Sequence, residues 1–333
     1  MNDFEKRLKE YLRERSLSTS IETLTPDAST REYFRVGWKG STAIACVYPE
    51  PFVASEQSYI DVTDLFRRNG LSVAEIYDFD EVFGVIVQED LGDTILRDVL
   101  FSADDATRER LLDQAVSLVA KIQAATDDAI ASGSIAGRLK FDVEKLVWEL
   151  EFFRTHYFET LKNSPLSTDE TAALDSEFRE LASELEARAT VLCHRDFHAA
   201  NLMLDKNGQI RIIDHQDARI GSAAYDLVSL LLDRVTEPPS AEWLAEKRHF
   251  FLEERVRSRL TQISESVFVY EFRLQTIQRC LKAIGTFSFQ SVNRGKTYFI
   301  PFINPMFEIV LRAIDNLDRF PKLREIIAKE LAA

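Results

Sequence analysis

The chain contains the stretch His194-Arg195-Asp196-Phe197-His198-Ala199-Ala200-Asn201, and a further acidic residue, Asp214, follows the apolar strand pattern at residues 210–213. A positioned carboxylate can accept the proton of a reacting hydroxyl, and carboxylate and amide oxygens are ligands that Mg²⁺ prefers. Asp196 is therefore the candidate proton acceptor, and Asn201 and Asp214 are the candidate metal ligands. Phosphoryl transfer needs these parts, because there the protein mainly positions groups and offsets charge.

The spacing of these residues is more specific than their types. The pattern HRDxxxxN, followed by an Asp at the end of a short strand, is that of a kinase catalytic loop and its metal-binding Asp. The alternative for Asp196 is a loop carboxylate that caps a turn, and for Asp214 a strand-end carboxylate in a hairpin. Arg195 is a candidate contact to phosphate, with a structural ion pair as the alternative.

His194 and His198 lie four residues apart, a spacing that also occurs at zinc sites. No cysteine or third ligand follows at a metal-site spacing, so the sequence argues against zinc. His198 is instead a candidate contact to the acceptor molecule.

Length and composition exclude several classes of protein. A chain of 333 residues with 45% hydrophobic residues can form about two globular domains. Its formal net charge of −14 disfavours nucleic acid or an anionic membrane as a partner. No apolar run reaches the roughly 18 residues of a membrane span, and the charged N-terminus is unlike a secretory signal. We therefore predict a cytoplasmic protein, with Cys46, Cys193 and Cys280 as reduced thiols.

Hydrophobic periodicity divides the chain into two unequal parts. Strand patterns recur between residues 32 and 88, beginning with a hairpin at residues 32–48, whereas helix patterns dominate from residue 94 onward. One long helical pattern runs from about residue 241 to residue 289. We predict an α+β protein with an N-terminal nucleotide-binding lobe at 1–90, a hinge at about 89–93, and a helical catalytic and substrate lobe at 94–333.

The motif and this arrangement together resemble the aminoglycoside phosphotransferase and choline kinase branch of the protein-kinase-like fold. Within that branch the chain is similar in particular to the bacterial kinases of cell-wall recycling, which phosphorylate N-acetylmuramate and N-acetylglucosamine at C1. The resemblance extends over most of the chain. Separate segments carry it in the right order: residues 27–35 (DASTREYFR), 89–92 (EDLG), 193–203 (CHRDFHAANLM), 213–218 (IDHQDA), 225–231 (YDLVSLL) and 278–285 (QRCLKAIG).

The resemblance implies a two-lobed fold, ATP as phosphoryl donor, Mg²⁺ as cofactor and a small-molecule sugar as acceptor. In the loop that would cover the phosphates, Ser29 and Thr30 can donate hydrogen bonds and Arg31 can pair with phosphate oxygens. A turn that serves only the hairpin is the alternative. At the hinge an adenine ring needs backbone donors and acceptors, so Glu89 and Leu91 are candidates by position alone.

The chain departs from the family pattern at several positions. The strand Ala43-Ile44-Ala45-Cys46-Val47-Tyr48 lacks the lysine that holds the α- and β-phosphates in kinases, and Arg31 or Arg35 is the candidate replacement. Ala199-Ala200 stands where the cell-wall kinases tend to carry Ser-Arg, and His215 stands where they tend to carry Phe.

Two further residues are candidate contacts near the site. Asp217, just after Asp214, is a candidate substrate contact, with a structural cap as the alternative. Arg294 lies in a late basic loop and could meet an anionic group of the acceptor, with a solvated loop charge as the alternative.

The sequence therefore predicts an ATP- and Mg²⁺-dependent kinase in which Asp196 deprotonates the anomeric hydroxyl of an amino sugar. Its predicted state is a monomer or a weak dimer. An aminoglycoside, a choline-like amine or another sugar is the alternative acceptor, and a polycation would require a pocket rich in carboxylates. The non-enzyme alternative is a nucleotide-binding pseudokinase.

Overall fold

The computed structural model describes residues 3–24 and 30–332, and it divides the chain into two compact units. The first unit consists of Met1–Ala103 and Ala199–Asp217, and the second of Asp104–His198 and Ala218–Ala333. The phosphate-loop candidate Ser29 lies outside the described residues. In the part of the chain that is described, no helix is both long and apolar enough to cross a membrane.

In the described residues the strands are short and fall into one five-stranded sheet and two small ladders. In chain order they are β1 (Ile21–Leu24), β2 (Glu32–Trp38), β3 (Ser41–Val47), β4 (Ile76–Asp80), β5 (Val85–Glu89), β6 (Val191–Cys193), β7 (Leu202–Leu204), β8 (Ile210–Ile212) and β9 (Arg219–Gly221).

Helices make up most of the remaining described chain. They are α1 (Asp3–Glu14), α2 (Ser58–Arg68), α3 (Leu96–Ser102), α4 (Asp105–Ala124), α5 (Thr126–Ala131), α6 (Ile135–Arg138), α7 (Val143–Arg154), α8 (Thr168–Ala187), α9 (Tyr225–Leu232), α10 (Ala241–Arg257), α11 (Glu265–Asn293), α12 (Ile303–Leu317) and α13 (Pro321–Ala332). A π-helical segment, Thr155–Leu161, continues α7.

The first unit is built on the antiparallel sheet β1-β2-β3-β5-β4. The β2–β3 pairing confirms the predicted hairpin. Alternate residues of β2 and β3, such as Phe34 and Ala45, pack against Leu8 and Leu12 of α1 in the core of this unit. Since successive side chains of a strand point to opposite faces, Cys46 lies on the face turned away from that core.

The hairpin formed by β7 and β8 belongs to the first unit although it follows the predicted catalytic loop in sequence. The Ile212 amide donates to the Ser72 carbonyl at 2.8 Å, and the Leu204 amide donates to the Thr94 carbonyl at 2.9 Å. These bonds attach the hairpin to the segments that flank β4 and β5. Pairing between segments distant in sequence thus groups residues 199–217 with the N-terminal residues. The lobes at 1–90 and 94–333 and the hinge at about 89–93 stay a prediction.

The second unit is mainly helical, and α11 packs against α7, α9 and α12. The backbones of α7 and α11 approach closely at Gly285, where a Cβ atom would lie only 2.7 Å from Phe153 Cα. Glycine at this position therefore lets side chains on the two helices face each other at short range.

The helical pattern predicted from about residue 241 to residue 289 is interrupted in the structure. α10 ends at Arg257 and α11 begins at Glu265. Arg259 has a φ of +60°, and the Leu260 amide donates to the Arg255 carbonyl at 3.0 Å. A left-handed residue just beyond a helix redirects the chain and ends the hydrogen-bond series, which periodicity alone did not reveal.

Candidate active site

The predicted catalytic loop begins where β6 ends, and the buried carboxylate of Asp226 on α9 fixes its start. Asp226 Oδ2 accepts a hydrogen bond from the His194 amide at 2.7 Å, and Oδ1 accepts one from the Arg195 amide at 3.0 Å. Arg195 has a φ of +88°, a left-handed conformation that costs a residue with a Cβ roughly 1–2 kcal/mol. Asp226 therefore shapes the loop by holding its backbone in this conformation.

Asp196 lies in the second unit among cationic side chains. Lys282 Nζ donates to Asp196 Oδ1 at 3.1 Å, Arg279 Nη1 lies 3.8 Å from the same oxygen, and Arg195 Nε lies 3.8 Å from Oδ2. Burial raises the pKa of the Asp196 carboxyl, but these cations, led by Lys282, outweigh burial and hold that pKa well below its usual range. Asp196 is therefore ionised at neutral pH, as a proton acceptor must be.

Sequence reasoning missed Arg279 and Lys282 as partners of the candidate base. Both lie on α11, about 85 residues after the motif, and they are three residues apart, so they share one side of the helix. The signal that could have found them was this pair of cations at helical spacing within a largely apolar segment.

The structure places the acceptor candidates His198 and Arg294 differently within the second unit. His198 is partly buried, burial lowers its pKa, and its Nδ1 has no hydrogen-bond partner among the described residues. Arg294 is exposed at the end of α11 and lies over the Phe289 ring. Twelve residues of helix correspond to about 18 Å, so Arg294 is remote from Lys282. Contact of either residue with an acceptor stays a prediction.

In the first unit, Asp214 and Asn201 come together after the β7–β8 hairpin. Asp214 Oδ2 lies 3.4 Å from Asn201 Nδ2, Oδ1 accepts a hydrogen bond from Gln216 Nε2 at 2.9 Å, and Oδ1 also lies 3.6 Å from Arg31 Nη2. The Ile213 amide donates to the Asn201 carbonyl at 3.1 Å. The side chains of Asn201, Gln216 and Arg31 thus all contact the half-exposed carboxylate of Asp214.

His215, one residue after Asp214, is a packing residue that holds this turn. It is fully buried, its ring stacks near Tyr59 and Phe66 of α2, and its Nε2 lies 2.7 Å from Thr63 Oγ1. Thr63 supplies the polar partner that a buried imidazole needs. This contact explains how a histidine can occupy a position where Phe is expected.

The two candidate replacements for the missing lysine have different surroundings. Arg35 pairs with Asp90 and Asp93 of the predicted hinge segment, each at 2.7 Å. Arg31 contacts Tyr48 Oη at 3.5 Å and reaches Asp214, and its side chain is largely buried. Arg35 is thus paired with two carboxylates of the predicted hinge, whereas Arg31 lies beside the candidate metal ligand Asp214.

The remaining nucleotide candidates are less distinctive. The Glu89 carboxylate pairs with Arg211, and the Glu89 amide donates to the Glu75 carbonyl at 2.7 Å. Both groups therefore make contacts within the first unit. Thr30 is exposed, and Leu91 and Asp217 are partly buried. Their roles stay predictions.

Comparison with known proteins identifies the family. The model of the phosphotransferase enzyme family matches residues 20–261. The chain belongs to this family. It is 28% identical over 311 residues to a Neisseria meningitidis serogroup B protein named N-acetylmuramate/N-acetylglucosamine kinase, covering 91% of this chain and 87% of the relative. A protein of the same name from Caulobacter vibrioides is 26% identical, covering 85% and 76%, respectively.

A solved structure supports the fold assignment. Choline kinase LicA from Streptococcus pneumoniae superposes with a TM-score of 0.58 at 18% identity, covering 96% of this chain and all of that one. Together with the family match, this likeness confirms the predicted α+β, protein-kinase-like fold and the family resemblance.

Proposed function

We propose that this phosphotransferase transfers the γ-phosphoryl group of ATP to the anomeric hydroxyl of an amino sugar such as N-acetylglucosamine or N-acetylmuramate. The names of the relatives supply the acceptor class, since those relatives are matched over most of their length. The observation that carries the chemistry is the contact of the Asp196 carboxylate with the Lys282 ammonium group at 3.1 Å. A cytoplasmic location and a monomeric or weakly dimeric state stay predictions.

In the proposed reaction, Asp196 accepts the proton of the acceptor hydroxyl as the acceptor oxygen attacks the γ-phosphorus. The bond from that phosphorus to the bridging oxygen breaks, and ADP leaves with the electron pair. A positioned general base typically contributes roughly 10²–10⁴ in rate. The low pKa of Asp196 makes it a weak base, so it mainly orients the hydroxyl and takes the proton late.

The first unit offers the donors for Mg²⁺. Among the residues that the structure describes, no group of three or more His, Cys, Asp or Glu side chains could hold a metal ion by itself. Mg²⁺ commonly uses only one or two protein carboxylates, with phosphates and water completing its shell. Asp214 and Asn201 fit that requirement, and the bound ion would offset charge on the phosphate oxygens.

We assign the phosphate-clamping cation to Arg31 and nucleotide binding to residues 1–90. The kinase lysine would project from the middle of β3 on the face occupied by Cys46. Arg31 enters the same region from the start of β2, with Tyr48 and Asp214 as its neighbours. Its planar guanidinium can pair with two phosphate oxygens at once, so the chain can hold the phosphates without a strand lysine.

Arg31→Ala is expected to lower kcat/KM for ATP by about 10- to 100-fold, the loss that follows from removing a charge-assisted hydrogen bond. Adding Cys46→Lys to that variant should restore part of the activity, since it returns a cation to the same face. Steady-state kinetics with varied ATP measure both effects.

Arg35→Ala is the matched control for this prediction. It should lower the melting temperature, because Arg35 pairs with Asp90 and Asp93, with a smaller change in kcat/KM. A larger kinetic loss in Arg35→Ala than in Arg31→Ala would show that the assignment is wrong.

The charges around Asp196 disfavour a polycationic acceptor. Within the described residues of the second unit, the charged groups in contact with Asp196 are cations from the loop and from α11, while the nearby carboxylate of Glu149 already faces Lys282 at 3.9 Å. An aminoglycoside would need a surplus of carboxylates at this place. The second alternative, a pseudokinase, is disfavoured because Asp196, Asn201 and Asp214 are all present.

The test is ADP release from ATP and Mg²⁺ over a panel of amino sugars, aminoglycosides and choline analogues, with phosphorus NMR of any product. We expect turnover with an amino sugar, and an anomeric phosphate signal that the Asp196→Asn protein does not produce. Turnover only with an amine would show that the proposed acceptor is wrong. ATP binding without turnover of any compound would show that the protein is a pseudokinase.

A further inference from the structure

Lys282 occupies an unusual place for a lysine, in the middle of the long helix α11. Its side chain is only 16% exposed, and Nζ lies between Asp196 Oδ1 at 3.1 Å and Glu149 Oε1 at 3.9 Å. Burying an ammonium group is costly unless opposite charge compensates it. Because this burial is costly, we expect Lys282 to have a role that a solvent-exposed lysine could not fill.

Glu149 provides a buried second carboxylate for this ammonium group. It lies on α7 and is 1% exposed, and its Oε2 accepts a hydrogen bond from Gln278 Nε2 at 2.7 Å. The close approach of α7 and α11 at Gly285 brings Glu149 and Lys282 onto facing surfaces. Glu149 thus helps to compensate the buried charge of Lys282, and Lys282 makes its shorter contact with Asp196.

Arg279 is the other cation on this side of α11, and it is committed elsewhere. Its Nη1 donates to Tyr225 Oη at 3.1 Å, and its guanidinium lies 4.8 Å from the centre of the Tyr225 ring. Its distance to Asp196 Oδ1, 3.8 Å, is too long for a hydrogen bond. Lys282 is therefore the α11 side chain that donates a hydrogen bond to the candidate base.

We propose that Lys282 is a positioning residue for phosphoryl transfer: its hydrogen bond to Asp196 Oδ1 fixes the orientation of the carboxylate that accepts the acceptor proton. The inference rests on the proposed function. Lys282 keeps its own proton throughout, while the hydroxyl proton moves to Asp196 and the phosphoryl group moves to the acceptor oxygen. The loop itself carries only Phe197, His198, Ala199 and Ala200 between Asp196 and Asn201, so α11 supplies a fixed cation that the loop lacks.

A double-mutant cycle between Lys282→Met and Asp196→Asn tests the proposal. Lys282→Met alone should lower kcat by about 10²-fold with little change in KM for ATP, because a small misplacement of a reacting group has this effect. In the Asp196→Asn background the same change should cost nothing further. Lys282→Arg should recover part of kcat, since it keeps the charge.

The cycle is measured with N-acetylglucosamine and, separately, with water as acceptor through slow ATP hydrolysis. Absence of sugar turnover in the wild-type protein would overturn the proposed acceptor, while the hydrolysis arm still measures the coupling between Lys282 and Asp196. A full loss from Lys282→Met in the Asp196→Asn background would overturn the positioning role, as would an unchanged kcat in Lys282→Met alone.

Lys247→Met is the matched control, because Lys247 is also a buried lysine of the second unit between two carboxylates, Glu109 and Asp113. It should lower the melting temperature and leave kcat unchanged. If Lys247→Met lowers kcat as much as Lys282→Met does, loss of a buried ion pair explains both results and the positioning role is overturned.

The pH profile gives a readout that a purely structural role would not move. The charged groups facing Lys282 are Asp196 from the loop, Glu149 from α7 and Arg279 from α11, and Arg195 faces Asp196 from its other side. Lys282 is the main cation holding the Asp196 pKa down. Its removal should raise that pKa and shift the acid limb of kcat to higher pH, and an unshifted limb would contradict the proposal.

Discussion

Asp196→Asn is expected to lower kcat by about 10²–10⁴-fold while leaving the affinity for ATP close to that of the wild-type protein. The Asn amide cannot take the proton of the acceptor hydroxyl. It has nearly the size of the carboxylate, and its oxygen can still accept the hydrogen bond from Lys282. Single-turnover kinetics measure the chemical step, and calorimetric titration with a non-hydrolysable ATP analogue measures binding. A loss of ATP affinity comparable to the loss of kcat would place Asp196 in nucleotide binding instead.

The same variant should also change the pH dependence of stability. The folded-state pKa of Asp196 lies well below its usual range, so the carboxylate stabilises the folded state above its unfolded pKa, and this contribution disappears as pH falls through the folded pKa. The melting temperature of Asp196→Asn should therefore lie below that of the wild-type protein at neutral pH. The difference should shrink toward strongly acidic pH.

Asp214→Asn is expected to lower kcat by about 10³-fold or more and to weaken the dependence of ATP binding on Mg²⁺. A bound divalent ion supplies several kcal/mol of charge stabilisation, which corresponds to such a factor in rate. The amide oxygen of Asn is a weaker ligand than a carboxylate, and the variant also loses the ionic contact with Arg31. Kinetics and calorimetry at varied Mg²⁺ measure both effects.

Asp205→Asn is the control for this prediction, because Asp205 lies at the turn of the same β7–β8 hairpin. Its Oδ1 accepts hydrogen bonds from the Asn207 amide at 2.8 Å and the Gln209 amide at 3.0 Å. It should affect stability without changing the Mg²⁺ dependence. If both variants lose activity equally, disruption of the hairpin explains the result and the metal role of Asp214 is wrong.

The sequence predicted the parts of this protein that depend on local order along the chain. The hairpin at residues 32–48 follows from alternating side chains around a glycine-bearing turn, and the family follows from HRDxxxxN with an Asp one hairpin later. Spacing of this kind can be recognised in the sequence because the predicted catalytic loop and the hairpin after it are adjacent in the chain. The candidate base and metal ligands could therefore be named from the sequence alone.

Tertiary structure decided which partners those residues have. Lys282 reaches Asp196 from a helix about 85 residues further along the chain, and hydrogen bonds to distant segments group the β7–β8 hairpin with the first unit. The proposed choice of Arg31 over Arg35 likewise rests on the Asp90 and Asp93 carboxylates that pair with Arg35. Local secondary-structure propensity does not predict such contacts, because they form only when packing brings distant segments together.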